Sequence, residues 1–296
     1  VELQNRLRHD NIGLTMPQNN IEQLTRWIET ACLWEVAAPK AGNVHPQASF
    51  SDLTYNDFVR SARITAFMLA RSHRGVGKAI LDTSKAVRLQ VGKNTNLGII
   101  LLLAPLISAS QEQNLDEAVS AVIDQMTVED SKQIYEAIRT ARPGGMGEVA
   151  EQDVAQEPTA SIREIMELAA DRDLIARQYA NNFADVLGFG RDHLQQWWTR
   201  CPDSRDTAIV GLHLDWMAHY PDSLIERKCG REMAEEVSRK AAELLDAGWP
   251  EVPESAEAFT AFDTWLRSDG NRLNPGTSAD LVAACLFVGL AEGTIR

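Results

Sequence analysis

Three stretches of this 296-residue chain place hydrogen-bonding and charged side chains where chemistry could follow. Glu35 falls on the helix face set by Leu24, Ile28 and Ala31. A carboxylate carried to the buried side of a helix must be paired, metal-bound or protonated, unless the helix ends there and the group meets water. In "VGKNTNLGIILLLAPLI" (91–107), Lys93, Asn94, Thr95 and Asn96 stand at the mouth of an apolar helix. Each of the last three can cap that helix. Together with the unpaired N–H groups and partial positive charge of a helix start, they also suit a phosphate, to which Lys93 adds a full charge. "NRLNPGTSADLVAACLF" (271–287) repeats the design. Pro275 and Gly276 turn the chain, Thr277 or Ser278 caps, and Asp280 falls in the first turn. Two buried helices with polar mouths make a site able to hold phosphates inside a helical protein.

Other candidates are weaker. His45 and Asp52 share one loop, between 39 and 55. His213 and Asp215 are two residues apart and do not share a helix face, so a solvated or interhelical role is expected of them and of His219. No HExxH or Cys–His cluster supports a zinc enzyme, and no GxSxG elbow is present. Neither "GVGKA" (75–79) nor "VGKN" (91–94) is a P-loop, since both lack the Ser/Thr after lysine and the glycine five positions before it.

The elements that must hold these residues read as helices. Apolar positions recur at helical spacing through 24–35 and 58–69, and again over roughly 116–140, 161–187, 205–219, 231–247, 256–267 and 278–292, while period-two runs are scarce. The expectation is an all-α protein, a single-domain multi-helix bundle with a buried central site. Residues 1–19 form a polar N-terminal arm and 20–296 the helical domain. Two long loops, 39–55 and 141–159, are of a length that is often functional, and 248–255 is a shorter connector.

Composition narrows the function classes. Hydrophobic residues make up 44%, enough for a sizeable core, and the net charge of −13 argues against a nucleic-acid surface or an acidic membrane as partner. The apolar run 97–107 is too short to span a bilayer, which takes about 20 residues. No signal peptide is visible. Cys32, Cys201, Cys229 and Cys285 have neither disulfide-framework nor zinc-finger spacing, which points to a reducing, cytoplasmic compartment.

Taken together, "EVAAPKAGNV" (35–44), "SDLTYNDFVRSA" (51–62), "NTNLGIILLLAPL" (94–106), "GMGE" (145–148) with "DSLIERKCG" (222–230), and "NPGTSADLVAA" (274–284) resemble the triphosphoribosyl-dephospho-CoA synthase family. The likeness runs from about Ile21 to Leu290. Members of that family are all-helical and join ATP to dephospho-CoA with loss of adenine. The resemblance implies Glu35, Asp52 and Glu148 as catalytic carboxylates. It implies Lys40, Asn43, Lys93, Asn94, Thr95, Asn96, Arg142 and Ser278 as substrate-binding residues, and Asp52, Asp222 and Asp280 as ligands of Mg²⁺. The implied partners are ATP or phosphoribosyl diphosphate, a hydroxyl acceptor such as dephospho-CoA, and a second copy in a possible homodimer.

The chain departs from the family pattern at several positions. Pro-Lys-Pro-Gly becomes Pro39-Lys40-Ala41-Gly42. Gly-Ala-His-x-Asp-Met becomes Ala48-Ser49-Phe50-Ser51-Asp52-Leu53. Asn-Thr-His-Lys-Gly becomes Asn94-Thr95-Asn96-Leu97-Gly98, and Arg-Gly-Glu becomes Met146-Gly147-Glu148. These changes leave two other readings: phosphoribosyl transfer in tetrahydromethanopterin-type C1 cofactor synthesis, and a helical protein that binds nucleotide or a partner without turnover. The carboxylates suit transfer chemistry. A hydroxyl displaces a base from C1 of a ribose through an oxocarbenium-like transition state. One carboxylate takes the hydroxyl proton, another stabilises the sugar cation, and Mg²⁺ neutralises the phosphates.

Overall fold

The computed structural model describes residues 18–142 and 152–296. The regular elements among them are all helical, as the periodicity predicts. Helix α1 (Gln18–Ala37) buries the stripe Leu24, Ile28, Ala31 and Cys32. Helix α2 (Tyr55–Leu69) opens on a reciprocal cap between Thr54 and Asp57. Helix α3 (Val76–Val91), which the sequence reading leaves out, stops at Gly92 in the left-handed region. Helix α4 (Leu97–Ala109) is buried at every residue but Ser108.

Two predicted long helices are each broken. The run 116–140 is α5 (Leu115–Gln125) and α6 (Val128–Ala141), divided where Met126 is extended and Thr127 caps anew with Asp130. The run 161–187 is α7 (Ile162–Glu167), α8 (Leu174–Ala180) and the start of a π-helical turn, Val186–Gly190. Then follow α9 (Arg191–Arg200), α10 (Arg205–His219), α11 (Ser223–Cys229), α12 (Arg231–Asp246), α13 (Glu254–Leu266) and α14 (Gly276–Glu292). Of the expected N-terminal arm, all but the first residues of α1 lie outside the described residues.

Helix α14 is the centre of the molecule. It is buried from Thr277 through Gly289 except at Asp280, and it packs against α1, α4 and α10. Each Leu, Ile, Val or Phe so buried contributes about 1.5–3 kcal/mol relative to exposure. Helix α4 contains Pro105, which has no N–H to give to the carbonyl of Leu101 one turn earlier. The Tyr179 hydroxyl of α8 donates to that carbonyl at 2.7 Å and fills the gap. Gly77 of the "GVGKA" stretch serves packing: its N–H donates to Asp130 Oδ1 at 3.0 Å, and a Cβ there would meet Asp130 Cα at 2.6 Å.

The loop 39–54 is pinned rather than free. Gly42 adopts φ 72°, beside Pro275 and Leu266, and its N–H donates to Asp263 Oδ1 at 2.7 Å. Arg267 donates to the Asn43 carbonyl at 2.6 Å. Helix α13 thereby fixes the loop that follows Glu35. No helix among the described residues is long and apolar enough to cross a membrane.

Candidate active site

A cavity of about 940 Å³ opens where the polar mouths of α4 and α14 meet the end of α1. The ends of α3, α6 and α11 and the α7–α8 segment complete its wall. Glu35, Asn43, Asp52, Lys93, Asn94, Thr95, Asn96, Arg142 and Asp280 all line it. Residues up to 245 positions apart in the chain (Glu35 to Asp280) thus share one space, because α1 and α4 both pack on α14.

At the α4 mouth the polar residues are already bonded to one another. Asn94 Oδ1 accepts from Leu97 N–H at 3.3 Å. Thr95 and Ser61 share a short hydroxyl bond, and Asn96 Nδ2 donates to Thr65 Oγ1 at 2.9 Å. Lys93 pairs with Asp57 at 2.8 Å. Among the described residues, Asn94 Nδ2 and the N–H groups of Gly98 and Ile99 have no partner, so donors remain at the helix start.

At the α14 mouth, Asp280 sits on the fifth residue of the helix rather than in its first turn. Its carboxyl rests against Gly98 of α4, where a Cβ would lie 2.0 Å from Oδ2. It accepts no hydrogen bond from the described residues. Burial, then the Glu35 and Asp222 charges, raises its pKa well above the usual carboxylate range. Asp52 is exposed at the loop side of the cavity and has no partner among the described residues.

Three predicted residues stand elsewhere. Lys40 is fully buried and does not line the cavity. Its ammonium pairs with Glu35 at 2.9 Å and also donates to the Glu35 carbonyl, one of the orphan carbonyls at the end of α1. Asp222 is 1% exposed and its oxygens are committed. Oδ1 accepts from Leu224 and Ile225 N–H at 2.8 and 3.1 Å, capping α11. Oδ2 accepts from Ser278 N–H and Oγ at 2.7 and 2.8 Å, capping α14. Ser278 is therefore a buried partner of Asp222, not a wall residue. Glu148 lies outside the described residues.

Sequence reasoning passed over several wall residues: Arg88, Tyr135, Arg172, Arg227, Lys228 and Asn274. Arg227 and Lys228 stood inside the quoted "DSLIERKCG", and their adjacency to Asp222 was the available signal. Arg88 reads as an ordinary cation in the last turn of a helix, with nothing to mark it. His213, expected to be solvated or interhelical, is fully buried under the site, where Asn43 Nδ2 lies 3.2 Å from its Nε2. Burial, then the Lys40 charge, pushes its pKa down to about 3, so it is neutral.

Among the described residues no three His, Cys, Asp or Glu side chains converge to hold a metal by themselves. Asp52 and Asp280 nonetheless offer partner-free carboxylates to the cavity, and Mg²⁺ is usually held by one or two carboxylates with substrate phosphates and water. The donor set fits the ion in that manner, without Asp222.

Comparison with known proteins finds relatives of this chain. A crystal structure of a candidate triphosphoribosyl-dephospho-CoA synthase from Archaeoglobus fulgidus is similar, with a TM-score of 0.61 and 26% identity over 81% of this chain and 99% of that one. No curated protein matches the chain. The family described as ATP:dephospho-CoA triphosphoribosyl transferase matches residues 21–295, and so the chain belongs to that family.

Proposed function

We propose that this protein transfers the triphosphoribosyl group of ATP to a hydroxyl of dephospho-CoA and releases adenine. The observation that carries the reading is the family match across residues 21–295. The wall residues suit each part of the reaction. The bond from C1 of the ribose to adenine breaks, its electron pair leaving with the base, while the acceptor oxygen bonds to C1. Glu35, held by Lys40, presents negative charge toward a sugar cation. Asp52, exposed and unpartnered, accepts the hydroxyl proton. Asn94 and the N–H groups of Gly98 and Ile99 donate to phosphate or ribose oxygens, with Thr95, Asn96 and Asn43 fixing that wall and Arg142 adding charge. Glu148 is proposed from the sequence resemblance alone. Mg²⁺ held by Asp52 and Asp280 would neutralise phosphate charge. Four free cysteines support a cytoplasmic location.

The test is incubation with ATP and Mg²⁺, with and without dephospho-CoA, followed by chromatography for adenine and mass spectrometry of the acceptor. Adenine should appear only with acceptor, in equal amount to an acceptor heavier by one triphosphoribosyl group. No adenine in the presence of dephospho-CoA would overturn the reading.

A further inference from the structure

The cavity holds more cations than the reaction above has used, and one of these, Lys228, has no side-chain hydrogen-bond or ion-pair partner among the described residues. Lys93 is answered by Asp57, while Arg88 and Arg172 donate to the carbonyls of Gly92 and Leu168. On α11, Arg227 pairs with Asp173, the N-cap residue of α8, at 2.5 Å, which fixes its guanidinium against the wall. Lys228, beside it, lines the cavity, is partly buried, and pairs with no carboxylate among the described residues. Burial holds its pKa below the ordinary lysine value. An ammonium group that has lost water and gained no anion is suited to an anionic ligand, and charge-assisted bonds of this kind are the strong ones.

The position of this pair selects which anion. Arg227 and Lys228 line the same cavity as Asp52 and Asp280. The pair therefore shares one space with the carboxylates assigned to the acceptor hydroxyl and to Mg²⁺ on the phosphates. In ATP the triphosphate hangs from C5 of the same ribose whose C1 reacts, so the triphosphate must lie close to those carboxylates. Resting on the transfer reaction proposed above, we propose that Lys228, backed by Arg227, binds the triphosphate of the donor nucleotide, not the diphosphate of the acceptor.

Calorimetric titration of ATP with Mg²⁺, of AMP and of dephospho-CoA into the full chain, as wild type, Lys228→Met and Lys228→Arg, tests this. Circular dichroism and melting temperature serve as the folding control. Lys228→Met should weaken ATP about tenfold or more. AMP and dephospho-CoA should change less than about twofold, and Lys228→Arg should restore most of the ATP affinity. Unchanged ATP affinity in folded Lys228→Met overturns the proposal, as does a loss that falls on dephospho-CoA or equally on AMP. Binding is read without turnover. Absent adenine release with Lys228-dependent ATP binding would therefore sink the reaction and leave this subsite standing, whereas a wild-type chain that binds no ATP overturns both.

Discussion

Lys40 shows how one residue serves a site without touching its space. Its ammonium is fully buried and meets the Glu35 carboxylate at 2.9 Å beneath the cavity floor. The sequence placed Glu35 on an apolar face and required it to be paired, metal-bound, protonated or at the helix edge. The structure selects pairing, five residues downstream, in a loop whose path no periodicity could show. Removing one member of a buried pair leaves the other charged and unmet, which typically costs about 3–5 kcal/mol. Lys40→Met is expected to lose that much in urea denaturation, and adding Glu35→Gln to recover most of it. Adenine release should be absent in the double variant, because the negative charge proposed to face the sugar is gone. A loss under about 1 kcal/mol in Lys40→Met would show that the pair does not hold Glu35.

Among the elements, α4 and α14 were legible because nothing but burial explains thirteen and seventeen residues so nearly free of charge. Their polar mouths were legible for the same reason, as interruptions of an apolar run. What joins them was not. Asp222 and Ser278 are 56 residues apart, and a shared cap leaves no local pattern in either stretch. The breaks at Met126 and within 161–187 were hidden too, because the helices on each side keep similar apolar spacing and only the local caps, such as Thr127 with Asp130, announce a restart. Asp222 caps its own helix and another with a single carboxylate. Burial raises its pKa, and its bonds to Ser278, Ile225 and Leu224 pull the other way. Losing an N-cap costs roughly 0.5–2 kcal/mol, and here two are lost with their donors left buried. Asp222→Ala should therefore lower stability by about 2–4 kcal/mol, a melting-point loss on the order of 5–15 °C for a chain of this size. The Mg²⁺ dependence of ATP binding by the folded Asp222→Asn variant separates a clamp from a metal ligand. It should match wild type, and a lost Mg²⁺ dependence would return Asp222 to the metal.

Across the whole molecule, a chain of net charge −13 lines one cavity with six Lys and Arg side chains beside five carboxylates. Helix α1 packs on α14, so the first and last described helices close on each other around the same core. Buried ionisable groups then set how the whole fold responds to acid. His213 has a folded pKa of about 3 against an ordinary value of 6.5, because burial and the Lys40 charge forbid its protonation. Below pH 6.5 the unfolded chain takes a proton that the folded chain refuses. The His213 contribution to stability is thus present above pH 6.5 and is lost as pH falls from 6.5 toward 3. Asp222 and Asp280 work in the opposite sense: their folded pKa values are raised, so their destabilising contribution grows as pH rises above 3.8. The three effects overlap in any single acid titration. They separate in a difference measurement, since His213→Gln keeps both carboxyls. Stability of wild type and His213→Gln should differ by a constant near neutral pH, set by the lost packing. Between pH 7 and 4.5 that gap should shrink by about 2–3 kcal/mol, at nearly 1.4 kcal/mol for each unit below 6.5. A gap that stays level across this window would mean that His213 accepts its proton in the folded protein, and that the space beneath Asn43 is wetter than its burial indicates.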